Sequence, residues 1–267
     1  MAPLQGFASR DVGVGVYTGI LVFVLGIPVV AGQAPTPAAA PPGFGSITGR
    51  VLYRGQVPPP LIVFEGGVKQ HVLEVEPSGT GLRFAVVYLD AQPEPTPRDL
   101  PVVSVDQVGW TFRPPVIAVS ESQPVRFTNS DGANHSIRSR DEVPANQINE
   151  FMVAGPYVKR FVRKPDVGHP VLLTCDLHAW MTAWVYVFDH RYHTVTDRGG
   201  RFEIKSVPEG FHRLHVRHPG GGLEKDLDVQ IAAGRPVLVE VAFDSSDLRL
   251  PAPAGGRVVS PVEPKSQ

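Results

Sequence analysis

One cysteine in a chain of 267 residues is followed by a histidine and then a methionine at equal offsets, in LTCDLHAWMTAW from Leu173 to Trp184. With 9 histidines and 3 methionines available, chance puts that pair behind a given cysteine roughly four times in ten thousand. Cys175, His178 and Met181 offer a thiolate, an imidazole and a thioether. Completed by a second imidazole, this is the donor set of blue-copper electron-transfer sites. The second imidazole is expected from His135 in SDGANHSIRS, where turn-forming residues bend the chain after an apolar strand. Met152 is the fallback axial donor should Met181 point away.

Other readings of the same residues stay open. Zinc takes one cysteine and two histidines with a water, but a thioether is a poor zinc ligand and Met181 would have no role. A nucleophilic or redox thiol needs a base and an orienting group, and none is identifiable beside Cys175. A buried cysteine, a core methionine and a surface histidine need no metal at all.

A continuous strand cannot gather these donors, because residues three apart project to opposite faces. Strand, short loop and strand can. PVLLTC (170–175) and TAWVYVFD (182–189) read as strands that flank the loop holding His178 and Met181. PVIAVS (115–120), PVRFTNS (124–130) and YVKRFVR (157–163) are three more, with Val125, Phe127 and Asn129 on one face of the second. SITGRVLYRG (46–55) and LRFAVVYLD (82–90) precede them, set off by the proline-rich AQPEPTPRDLP (91–101). Short strands with 27 glycines and 28 prolines, and no long helical periodicity beyond residue 35, predict an all-β fold.

From Tyr192 the pattern restarts in TVTDRGGRFEIKSVPEGFHRLHVRHPG and closes with PVLVEVAF. This predicts a second, smaller β-sandwich, near the low end for independent folding and expected to lean on the first. The expected organisation is a leader or anchor over 1–34, a Pro/Ala-rich linker over 35–45, a first sandwich over 46–190 with an N-terminal strand extension, a second over 191–244, and a disordered tail over 245–267.

Hydrophobic residues at 42% and charged residues at 19% are enough for a sizeable core. A net charge of −1 leaves no basic excess to neutralise phosphates, which argues against nucleic acid as a partner. Arg10, the apolar run from Val12 to Val30 and the small residues of AGQA read as an export signal cleaved after Ala34, or as a membrane anchor if uncleaved. Either places the rest of the chain outside the cytoplasm, in the periplasm. A lone cysteine there cannot form an internal disulfide, and a metal would give its thiol a partner.

These stretches carry a family resemblance. LTCDLHAWM resembles the copper loop of cupredoxins, and its Cys-x2-His-x2-Met spacing is similar to amicyanin rather than to the longer loops of plastocyanin and pseudoazurin. VRFTNSDGANHSI resembles the strand and loop that bear the first histidine ligand. With TDRGGRFEIKSVPEGFHRLHVRH behind them, they resemble larger exported proteins of the methylamine-utilisation type. In those, a cupredoxin-like sandwich precedes a transthyretin-like, carboxypeptidase regulatory-like unit. The likeness runs over residues 46 to 243.

The resemblance implies one type 1 copper site held by His135, Cys175, His178 and Met181. It implies a one-electron carrier, with His178 as the electron port and Leu177, Ala179 and Trp180 as a docking patch, although Trp180 reads equally well as core packing. The partner would be a cytochrome or a periplasmic oxidoreductase. No acid, base or nucleophile constellation appears, so an enzyme is not expected. The alternative is a non-redox binding protein, or one that stores or delivers copper. One departure stands out: Ser136 replaces the family's usual asparagine, which leaves the backbone amide but bears on the reduction potential. Five further histidines, His190, His193, His212, His215 and His218, lie among arginines that repel a cation, and they are expected to be structural. The six Lys/Arg against three Asp/Glu between Arg191 and His218 read as a solvated face.

Overall fold

The computed structural model describes residues 43–62, 69–77, 79–153 and 155–249. The expected leader over 1–34, the linker up to residue 42 and the tail beyond residue 249 lie outside the described residues. No helix among the described residues is long and apolar enough to cross a membrane.

The fold is all-β, as the sequence predicts, with three single 3-10 turns among the described residues. The first part of the chain contributes β1 (Phe44–Tyr53), the short pair β2 (Leu61–Ile62) and β3 (Lys69–Gln70), and β4 (Val86–Leu89). The middle contributes β5 (Val103–Gln107), β6 (Phe112–Arg113), β7 (Val116–Ser120), β8 (Pro124–Asn129) and β9 (Ser136–Ser139). It continues with β10 (Ile148–Phe151), β11 (Tyr157–Arg160), β12 (Val171–Thr174) and β13 (Thr182–Phe188). The last part adds β14 (His193–Val195), β15 (Arg201–Pro208), β16 (Gly210–His218), β17 (Leu223–Ile231) and β18 (Pro236–Phe243).

The middle strands form two sheets, ordered β10-β9-β12-β13-β7 and β11-β8-β5-β6. Strand alternation explains what lies between them: Val125 and Phe127 of β8, Val105 of β5, Val171 and Leu173 of β12, and Val185 and Val187 of β13 share one buried cluster. Cys175 and Met181 belong to this cluster too, so the core runs directly into the loop that joins β12 to β13.

The remaining strands form sheets ordered β15-β1-β18 and β14-β4-β16-β17. This departs from the expected assignment of residues 46–190 to one sandwich and 191–244 to another. Strand β1 runs antiparallel to β15 and parallel to β18, and β4 pairs with β14 and β16. The N-terminal segment is thus built into the C-terminal sandwich, and the middle sandwich is inserted between the two halves. The reason is apolar surface: Ile47, Val51 and Tyr53 join Phe202, Leu214, Val241 and Phe243 in one core, which 191–244 alone could not fill. Strand β1 also begins at Phe44, inside the expected linker.

Strand β4 is buried on both faces. Val87 and Leu89 face the second core, whereas Val86 and Tyr88 meet Val116, Tyr186 and Phe188 in a third cluster between the sandwiches. Strands covered on both sides read as continuous apolar runs, and VVYL and WVYVF are such runs. Strand β17 was not evident in the sequence, because only Leu223, Val229 and Ile231 of its nine residues are buried. Residues 245–249, expected to open a disordered tail, instead begin with a 3-10 turn at Ser245–Asp247, capped by the Asp244 side chain, and Leu248 packs on the second core.

Candidate metal centre

Four segments meet at one end of the middle sandwich. The loop Ser130–Asn134 crosses from β8 in one sheet to β9 in the other and delivers His135 to the first residue position before β9. Strand β9 touches β12 through Arg138 and Thr174, which brings His135 beside Cys175. The β12–β13 loop is closed on itself: the Met181 N–H donates to the His178 carbonyl at 2.9 Å, and the Cys175 N–H donates to the Met181 carbonyl at 3.3 Å. The fourth segment is the β5–β6 hairpin.

His135, Cys175 and His178 converge so that one donor atom from each lies within 4.8 Å of the others, and all three are buried. The two Nδ1 atoms are 2.9 Å apart, and His178 Nδ1 is 3.7 Å from Cys175 Sγ. Bond lengths of about 2.0–2.1 Å to nitrogen and about 2.3 Å to sulfur would let a single ion touch all three. The residues present therefore fit a metal. Met181 is fully buried in the same cluster as Cys175, which also holds buried Met152, whose N–H donates to the His135 carbonyl at 2.9 Å.

Ser136 braces the sulfur. Its backbone N–H donates to Cys175 Sγ at 3.3 Å, and its Oγ lies 3.8 Å from the same atom while accepting the Asp176 N–H at 2.8 Å. The serine thus keeps the amide bond to sulfur and ties the loop with its own side chain. Gln107, fully buried at the end of β5, donates from Nε2 to the Ser136 carbonyl at 3.0 Å.

Two residues that the sequence reading passed over complete the centre. Asp131 accepts the Nε2–H of His135 at 2.9 Å, and the other ring nitrogen, Nδ1, lies 2.9 Å from His178 Nδ1. Asp131 also accepts the backbone N–H groups of Gly109 and Trp110, at 2.7 and 2.9 Å. Burial pushes the Asp131 pKa up, but those amide bonds and the His135 ring outweigh it and hold the carboxyl below its usual value. Trp110 stands edge-on to both rings, 5.7 Å from His135 and 4.9 Å from His178 between centroids. SDGAN was legible as a turn, but nothing in its pattern says that Asp131 reaches a hairpin twenty residues upstream.

His178 is only 8% exposed, against 0% for His135. Beside it Leu177 is 47% exposed and Ala179 is also at the surface, whereas Trp180 is half-buried, with its indole N–H donating to the Trp110 carbonyl at 3.2 Å. Three histidines of the C-terminal region serve the sheets. His218 accepts the Gly221 N–H, His193 stacks on Phe188 and His215 bonds Asp226 through Nδ1. Several cations of the basic face are paired, Arg191 with Glu94, Arg213 with Asp228 and Arg217 with Asp226.

The chain matches no protein-family model and no curated protein sequence. Solved structures to which it is similar include a purple cupredoxin from Nitrosopumilus maritimus, 18% identical over 32% of this chain and 99% of that one, with a TM-score of 0.26. A mutant amicyanin in its reduced Cu(I) form is 16% identical over 38% of this chain and 98% of its own, with a TM-score of 0.29. A mutant fern plastocyanin is 21% identical over 33% of this chain and 100% of its own, with a TM-score of 0.28.

Proposed function

We propose that this chain is an exported type 1 copper protein that carries one electron to or from a periplasmic partner, a cytochrome or an oxidoreductase. The observation that supports this reading is the buried convergence of two imidazole nitrogens on one cysteine sulfur that already accepts a backbone N–H. Soft sulfur with imidazole suits copper, and Met181 would add a thioether, with Met152 as the fallback. Copper held there supplies a one-electron couple between its one- and two-valent forms.

The protein's own residues then set the terms of transfer. Asp131 orients His135, the closed loop from Cys175 to Met181 holds the other donors, and the Ser136 amide draws charge from the sulfur. Little has to move when the electron arrives. His178, Leu177, Ala179 and Trp180 form the port and docking patch in this reading. With His135, Cys175, His178 and Met181 all engaged, a copper ion would keep no position for a substrate, so the role in this reading is carriage rather than catalysis. The burial of all three convergent donors also favours a carrier over a protein that surrenders copper readily. Export rests on the apolar run from Val12 to Val30 and the AGQA that follows.

The test is a visible spectrum of the protein titrated with Cu(II), beside Cys175→Ser. An intense blue band that saturates at one equivalent, cycles reversibly with reductant and is absent from Cys175→Ser is the expected result. No band, with the thiol still free to react, removes the copper reading. Tight binding of zinc but not copper would replace it with the zinc alternative.

A further inference from the structure

The hairpin between β5 and β6 turns through Gly109 and Trp110, whose φ angles are 64° and 61°. The Val108 N–H donates to the Thr111 carbonyl at 3.0 Å, which makes this a two-residue turn with both central residues left-handed. Glycine takes that conformation freely, but a tryptophan does so against the contact of its Cβ with the backbone. A bulky side chain held in such a place needs compensation, and it is visible. Asp131 accepts both turn N–H groups, and the Trp180 indole N–H donates to the Trp110 carbonyl. Those bonds put the half-buried indole of Trp110 edge-on against both His135 and His178.

We propose that Trp110 is the cover of the metal centre: its indole seals the His135–Cys175–His178 cluster from water and from small external ligands, and so restricts the site to outer-sphere chemistry. This rests on the copper reading for its consequence, but the sealing itself concerns the protein alone. The left-handed backbone supplies a discriminating variant. A side chain present only for structure would make Trp110→Gly costly, yet glycine is the residue this φ favours, so Trp110→Gly should fold while leaving the site uncovered.

Two measurements on the full chain follow. In the metal-free protein, an aromatic disulfide reagent should react with Cys175 at least about tenfold faster in Trp110→Gly than in the wild type, with Trp110→Phe close to the wild type. Circular dichroism and thermal unfolding establish that each variant is folded. In the Cu(II)-loaded protein, azide should leave the wild-type spectrum unmoved and should shift that of Trp110→Gly. Equal thiol rates in the folded variant and the wild type would overturn the proposal, as would a wild-type thiol that reacts as fast as in denaturant. A wild type that binds no copper ends the electron-transfer reading but leaves the thiol rates to decide the cover. If Trp110→Gly does not fold, Trp110→Ala and Trp110→Leu are ranked by the same rates, and a cover predicts faster reaction as the side chain shrinks.

Discussion

The carboxylate of Asp131 and the ring of His135 are joined at 2.9 Å, and the same carboxylate binds the two backbone N–H groups at the tip of the β5–β6 hairpin. One side chain therefore sets both the direction in which a candidate ligand points and the place of the tryptophan above it. Carboxylates that hold a metal-binding histidine by its second nitrogen fix the tautomer and raise the ligand's basicity. Asp131 does this from the same turn that carries His135, four residues away.

Asp131→Asn should therefore keep the fold but lower metal affinity by about 10–100-fold, because the amide cannot accept three N–H groups at once as the carboxylate does. Loss of the charge-assisted bonds should also cost on the order of 2 kcal/mol of stability. Competition with a chelator and a thermal melt of the metal-free protein check the two parts separately. Unchanged affinity would show that His135 is held by its strand alone.

His193 and His218 are held neutral by burial, and each pKa is pushed down to about 4. Between about pH 6.5 and about pH 4 the unfolded chain therefore binds protons that the folded chain refuses, and stability falls as pH drops through that window. Each group contributes on the order of 3 kcal/mol to that loss. Thermal or urea unfolding across this range should show the slope, and His193→Phe, which keeps a ring on Phe188, should remove about half of it. A flat profile above pH 4 would mean that these rings are hydrated in solution.

Strand β1 is the central strand of its sheet, between β15 and β18, and β4 lies between β14 and β16. A fragment of residues 191–249 should thus be unfolded by circular dichroism and by rapid proteolysis. Adding residues 43–91 on a separate chain should restore protection to it. Folding of the shorter fragment alone would show that its own apolar surface suffices.

Much of this was legible along the chain. Alternation in PVRFTNS marks which side chains turn inward, and Val125 and Phe127 are buried as it predicts. Backbone geometry alone enforces that, since successive side chains on a strand must point to opposite faces. The nearness of Cys175 and His178 was equally plain, because a short loop keeps residues close in sequence close in space. Strand β17 was hidden by its charged partners on the exposed face, where LEKDLDVQI reads as polar.

What the sequence determined by itself, then, was local: the all-β character, the strands around the centre, and the pairing of Cys175 with His178, to which the structure brings His135. The tertiary structure alone decided which strands share a sheet. Nothing in SITGRVLY announces that it will lie parallel to PVLVEVAF from the other end of the chain. Alternation states which face must be buried but not what covers it. The tertiary fold likewise decided that Asp131 and Trp110 belong to the centre, because their contacts depend on how two sheets bring a loop and a distant hairpin to the same end of the sandwich.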